Sequence, residues 1–149
     1  MRHGAFDVRG ERIINDVAPI RVKPNSTYTY EAGTRWSYLV ERGFHRTGAC
    51  AVLYDPQGVV VAQHRVFFAR FGDLDLDPNP EIRLTQGDGL LTLESPIFVW
   101  GVCLDTDGES PVPDNCFDLL PNVPYRLPWD TTTLGEPRIV RTGNRDALK

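Results

Sequence analysis

Apolar residues in this chain come in short runs separated by turn residues, and no stretch holds a helical period. The run Ile97–Leu104 is the most apolar of them. Phe98, Trp100 and Val102 fall on one parity, Val99, Gly101 and Cys103 on the other. Flanked by turn residues, such a run predicts a central strand covered on both faces, with Trp100 in the core. It is followed by DTDGESPVPDN, turn chemistry throughout, and then by CFDLLP, a second apolar segment that starts behind Asp114 and Asn115. Short Asx side chains bond backbone N–H groups two residues on, so this pair is expected to pin the chain as it re-enters the sheet.

The remaining runs read as further strands packed against this one. Phe6–Arg9 and Glu11–Ile14 flank a turn at Arg9-Gly10. A second turn at Asn15-Asp16 leads to Pro19–Lys23, where Ile20 and Val22 alternate with Arg21 and Lys23. After Pro24-Asn25 come the β-favouring Ser26–Glu31 and a strand over Trp36–Glu41. Ala49–Tyr54 and Val59–Phe68 frame Asp55-Pro56-Gln57-Gly58, in which proline presets φ at the second turn position and glycine suits the last. That hairpin is the firmest local feature, and Gln63 and Arg65 share one parity of its second arm. Phe71–Leu76 reads as a strand with Leu74 and Leu76 inward and aspartates outward. Glu81–Thr85 and Leu90–Glu94 are joined by Gln86-Gly87-Asp88-Gly89. The proline-broken VPYRLPW suits an edge strand, and residues 130–149 supply one more edge strand, Arg138–Thr142, plus a polar tail. The 13 glycines and 12 prolines punctuate the chain at the spacing of roughly 8–12 residues typical of a β-sandwich. The expectation is an all-β sandwich of two antiparallel sheets over residues 1–149.

Composition narrows the function. With 149 residues and a net charge of −4, the chain suits one ordinary globular domain. Its scattered arginines offer no electrostatic grip on nucleic acid or an anionic membrane. No window approaches the ~18 apolar residues of a spanning helix. The N-terminal MRHGAFDVRGE lacks the apolar core of a signal peptide, which points to the cytoplasm if that end is native. Cys50, Cys103 and Cys116 are odd in number, form no CxxC pair and sit among apolar neighbours, where cysteine acts as a small hydrophobe; export would allow a bridge between two of them. His3, His45 and His64 show no ligand spacing, and neither metal nor cofactor is expected.

Other candidate chemistry weakens on inspection. A calcium loop beginning at Asp73 would need glycine and glutamate where Pro78 and Leu84 stand. Asp114 and Asp118 are the most constrained carboxylates and could form an acid–base pair, but both belong to the pinned return. No Gly-x-Ser-x-Gly elbow, phosphate loop or HExxH is present. Trp36, Trp129, Tyr125, Tyr28 and Tyr30 could stack on sugar rings or fill an interface. Asn25-Ser26-Thr27 is a formal glycosylation sequon.

The segment DNCFDLLPN resembles the corresponding segment of the immunoglobulin-like domain that ends glycoside hydrolase family 2 β-mannosidases. PIRVKPNSTYTY, AVLYDPQGVVVAQHRVFF, LDLDPNPEIRL and SPIFVWGVCL are similar, in order, to that domain's other strands, so the likeness runs from about Phe6 to Trp129. Its specific part is Asp114, Asn115, Phe117, Asp118, Leu119, Leu120 and Pro121, carried over as a structural signature. Asn122 stands where that family usually has glycine, a mild change because asparagine also tolerates left-handed backbone. Further strands would be expected before Arg9-Gly10, so the sequence looks like part of a longer polypeptide. The resemblance implies an immunoglobulin-like accessory domain without catalytic residues. Its partners would be a catalytic (β/α)8 barrel and other sandwich domains of the same chain. The alternatives are a carbohydrate-binding module acting through Trp36, Trp129 or Tyr125, and an independent enzyme using Asp114 and Asp118.

Overall fold

The computed structural model describes residues 1–30, 37–105 and 107–145. Turn chemistry sets its hairpins. Between β1 (Arg2–Asp7) and β2 (Arg12–Val17), the Asp7 carboxylate accepts from Arg9 N–H at 2.7 Å and the Asp7 carbonyl from Gly10 N–H at 2.9 Å. Between β3 (Thr47–Tyr54) and β4 (Val60–Phe67), Asp55 accepts from the N–H groups of Gln57 and Val59 at 2.9 and 2.8 Å. Asp88 and Gly89, both left-handed at φ 53° and 72°, join β5 (Arg83–Gly87) to β6 (Leu90–Glu94) in the geometry that matches strand twist. Three further strands follow: β7 (Val99–Val102), β8 (Phe117–Leu119) and β9 (Tyr125–Pro128).

The strands pair antiparallel throughout, giving an all-β, sandwich-like fold. Among the described residues they form three hydrogen-bonded sheets, β2-β1-β3-β4, β5-β6-β9 and β7-β8, in place of the two expected. The small β7-β8 ribbon lies between two apolar clusters. Phe98 and Leu120 pack with Phe6, Val8, Val52, Leu74 and Leu76 on the side of the four-stranded sheet. Val99, Val102, Leu104, Phe117 and Leu119 pack with Leu91, Leu93, Leu127 and Trp129 on the side of the three-stranded sheet. β7 is central in packing although, among the described residues, it has only β8 as a ladder partner.

A bulge explains both facts. Gly101 adopts φ 55°, and the register slips between Val99 and Val102. Val102 therefore faces the same cluster as Val99, where strict alternation had put it with Phe98 and Trp100. Trp100 is half-buried and stacks on Phe71 at 4.4 Å. Amides in β7 and immediately beside it find piecemeal partners. Phe98 donates to Val8 O at 3.1 Å, Trp100 to Asn144 Oδ1 at 2.7 Å and Cys103 to Arg141 O at 2.9 Å. With that edge occupied, no third strand among the described residues joins the ribbon.

Other expectations shift for local reasons. Asn15 and Asp16 lie inside β2, where pairing with Gly4 and His3 outweighs their turn preference. Pro19–Lys23 and the described part of Ser26–Glu31 carry no strand. Trp36 lies outside the described residues, and Ser37–Arg42 form a helix, α1, in place of a strand. Six residues are too few for periodicity to decide, and Gly43 at φ 85° ends the turn. Phe71–Leu76 holds a 3-10 turn at Phe71–Asp73 and joins no ladder, yet Leu74 and Leu76 are buried and Asp73 and Asp75 exposed, as their alternation requires. Residues 130–145 begin with a short helix, α2 (Thr131–Leu134), capped by the Asp130 carboxylate on Thr132 N–H at 3.0 Å. The strand expected at Arg138–Thr142 shrinks to one bridge, Cys103 with Arg141.

Asn144 is the least legible residue of the core. It is fully buried in a 3-10 turn, Gly143–Arg145, and its Nδ2 donates to the carbonyls of Asp77 at 2.9 Å and Phe98 at 3.3 Å. Gly143 makes room for it, since a Cβ there would lie 2.7 Å from the Trp100 ring. Asn144→Ala should leave one N–H and two carbonyls without this partner and cost about 2–4 kcal/mol in urea unfolding. Asn144→Asp should cost at least as much, because a carboxylate would face two carbonyl oxygens.

Candidate functional site

The Asp114–Pro121 segment builds a polar latch around the bulge. Asn115 sits just before β8, and its Oδ1 accepts from Leu104 N–H at 2.8 Å while its Nδ2 donates to Asp105 O. Asp114 accepts from Asn115 N–H at 2.8 Å and from the Tyr125 hydroxyl. Tyr125 lies flat on Phe117, with ring centroids 4.2 Å apart and planes 3° apart. Phe117, Leu119, Leu120 and Pro121 are buried, and Asn122 then takes the left-handed φ of 56°.

Asp118 turns the other way from Phe117 and Leu119. One carboxylate oxygen accepts from the bulge N–H of Gly101 at 2.9 Å; the other takes the Arg65 guanidinium at 2.6 Å. Gln63 donates to Asp118 O at 2.9 Å. The polar parity of β4 is therefore its inner one. Cys50 and Val52, the partners of Arg65 and Gln63 in the ladder, belong to the cluster on that face. A small recess of about 150 Å³ lies between Gln63, Arg65, Asp118 and Tyr125. Both carboxylates of the envisaged acid–base pair are thus occupied as acceptors, Asp114 by a phenol and an amide, Asp118 by an amide and a guanidinium.

The aromatic candidates fare differently. Trp129 is no exposed platform: it is 5% exposed and its indole N–H donates to Gly135 O at 3.0 Å. It does reach the floor of an open groove of about 920 Å³, walled by Pro111, Pro113, Thr131 and Thr133. Tyr125 has one ring face covered by Phe117. Tyr28 is exposed, and Tyr30 lies 5.6 Å from the His3 ring. Of the aspartate run, Asp75 and Asp77 pair with Arg9 at 2.7 and 3.2 Å, and that guanidinium holds the Asp75 carboxyl below the usual range. Among the described residues, no group of three or more His, Cys, Asp or Glu could hold a metal ion.

The outer face of the same hairpin is apolar as well. Leu53, Val66 and Phe68 are exposed beside Ala62, and the Phe68 ring lies 5.4 Å from exposed Phe44. Val61, at the slip opposite Leu53 and Tyr54, is exposed as well. β4 is also an edge strand. Phe67 turns inward with Gln63 and Arg65 and packs on Phe6 and Phe98, while Val66 and Phe68 turn outward, so this edge strand presents apolar side chains on both faces where one wet face is usual. The one signal in the sequence was the shared parity of Gln63 and Arg65, which does not say which side is wet.

Asp118→Ala should remove the bulge acceptor and strand Arg65, costing about 2–4 kcal/mol by denaturant unfolding. Asp118→Asn keeps an acceptor for Gly101 N–H and should cost less than half as much. Burial, and then the hydrogen bond to Asp114, push the Tyr125 phenol above its ordinary range, so the fold favours the protonated form. Its contribution is complete below the unfolded value of about 10 and is lost as pH rises through the folded one. Tyr125→Phe should therefore cost about 1 kcal/mol at pH 7, a figure at the low end because Tyr125 is only partly buried. That gap should narrow in urea titrations above about pH 10.

No protein-family profile matches this chain, and no curated protein sequence matches it significantly.

Proposed function

We propose that this domain is a non-catalytic, immunoglobulin-like accessory domain of a β-mannosidase-like glycoside hydrolase. In this reading it docks through the outer face of β3 and β4 onto the catalytic (β/α)8 barrel of the same polypeptide. The observation that carries the reading is the apolar outer face of this edge strand, with Arg65 and Gln63 tied inward to Asp118 and Val66 and Phe68 presented outward. The likeness of the Asp114–Pro121 segment supplies the family.

Magnitudes favour a partner within one chain. Full burial of a large apolar side chain is worth about 1.5–3 kcal/mol, and Leu53, Val66, Phe68 and Phe44 are each already about half covered. Covering the rest gives on the order of 4 kcal/mol, which for separate molecules corresponds to a dissociation constant near ~1 mM. Tethering raises the effective concentration to about that level, so the same face serves well as a contact between linked domains.

Amide exchange over Val60–Phe67 should be slower in the longer polypeptide read from the gene than in these 149 residues alone. Val66→Glu with Phe68→Glu should restore the faster exchange there while leaving the isolated chain's stability within about 0.5 kcal/mol. Equal exchange in both contexts, a gene that encodes no barrel, or hydrolysis of an aryl β-mannoside by the isolated chain would each refute the proposal.

The groove over Trp129 keeps the carbohydrate-binding alternative in play. Titration with mannan oligosaccharides followed by tryptophan fluorescence separates the two. A response lost in Thr131→Ala or Thr133→Ala favours the binding module; no response favours the docked domain.

A further inference from the structure

The β7-β8 ladder pairs Val102 with Phe117, and one more step along each strand sets Cys103 opposite Cys116. Their sulfurs are 2.9 Å apart. Covalent closure brings such a pair to about 2.05 Å, so less than 1 Å of movement separates the thiols from a bond. The backbone around them is already fixed. Cys103 N–H and O bond the C-terminal segment at Arg141 and Val140, each at 2.9 Å. On the other strand, Cys116 follows the Asn115 latch with a left-handed φ of 60°. Cys116 is exposed, so an oxidant reaches it; Cys103 is half-buried beside it. Cys50 lies in β3, a strand of a different ladder.

We propose that Cys103 and Cys116 form a disulfide site, closing into a cross-strand bond when the protein meets a low-molecular-weight disulfide. The Cys116 thiolate attacks the oxidant RSSR, forming a mixed disulfide and releasing one RS⁻. The Cys103 thiolate then attacks Cys116 Sγ and expels the second. Both cysteine protons end on the released thiols, so two protein thiols and RSSR give one protein disulfide and two RSH. The bond closes the connection between β7 and β8 at its base, holding Asn115 over Leu104 and Asp105 even when the ladder opens. Closing a loop of this length restricts the unfolded chain more than the native one.

The folded full chain is equilibrated with oxidised glutathione, quenched with acid, and analysed by mass and by thiol titration in denaturant. The expected product has lost about 2 Da, keeps one titratable thiol out of three, and yields a peptide joining Cys103 to Cys116 on digestion. Its melting point should rise by roughly 10 °C, and dithiothreitol should reverse the shift. Cys50→Ser should behave the same with no thiol remaining, whereas Cys103→Ser and Cys116→Ser should show neither the mass loss nor the shift. Three thiols after equilibration, a stable glutathione adduct on Cys116, a bond involving Cys50, or disulfide-linked dimers would each overturn the assignment.

Discussion

Two backbone amides in the middle of β7 decide how this protein is put together. The bulge at Gly101 takes the N–H groups of Trp100 and Gly101 out of the ladder, and an unmatched buried amide costs about 1–3 kcal/mol. Asn144 accepts the first and Asp118 the second. Each acceptor brings other parts of the chain with it. Asn144 carries the end of the described chain to Asp77 and Phe98, and Asp118 carries β8 to Arg65 and Gln63 on β4. The bulge is thus the joint at which the four-stranded sheet, the ribbon and the C-terminal segment meet. The bulge also turns Val102 toward Val99, so that the ribbon feeds both apolar clusters.

The same joint accounts for the apolar outer face of β4. A carboxylate between two sheets needs a cation, and β4 supplies it from its inner face through Arg65, whose guanidinium also lies 5.1 Å from the Phe71 ring. Because side chains alternate along a strand, fixing Arg65 and Gln63 inward leaves His64, Val66 and Phe68 outward. A one-residue slip would turn Val66 and Phe68 inward, but it would turn Phe67 out of the core and leave Asp118 without its partner. Polar satisfaction inside the fold therefore dictates an apolar exterior, and an apolar exterior on an edge strand is a surface suited to a neighbour.

Local signals were legible wherever a turn residue acts on its own neighbours. Asp55-Pro56-Gln57-Gly58 and Leu90–Glu94 can be read directly, because an Asx side chain or a glycine fixes geometry within a few positions. The buried pair Leu74 and Leu76 follows from alternation alone, even though no ladder forms there. What escaped was non-local. A polar parity such as Gln63 and Arg65 reads as solvent-facing until Asp118, more than fifty residues on, is seen to bind it. Asn144 sits in Gly-Asn-Arg, an unremarkable turn in sequence, and its burial depends on the Trp100 ring covering Gly143. Ser37–Arg42 was lost for a different reason: six residues hold too little periodic information to separate helix from strand.

The ties along the β7-β8 ribbon are noncovalent, and the disulfide proposed at Cys103 and Cys116 would add one of a different kind. At Asp118, in the middle of β8, the ties are an ion pair and hydrogen bonds, which form and break with the fold and contribute nothing once the strands part. Just before β8, Asn115 bonds Leu104 and Asp105, and the sulfurs of Cys103 and Cys116 lie side by side. A hydrogen-bonded latch limits how often that connection opens; a covalent bond limits how far it can open, because the strand ends remain joined in every state of the chain. The ribbon places Val99, Val102, Phe117 and Leu119 in one apolar cluster and the flanking Phe98 and Leu120 in the other. Holding its strands together therefore limits how far the two clusters can move apart.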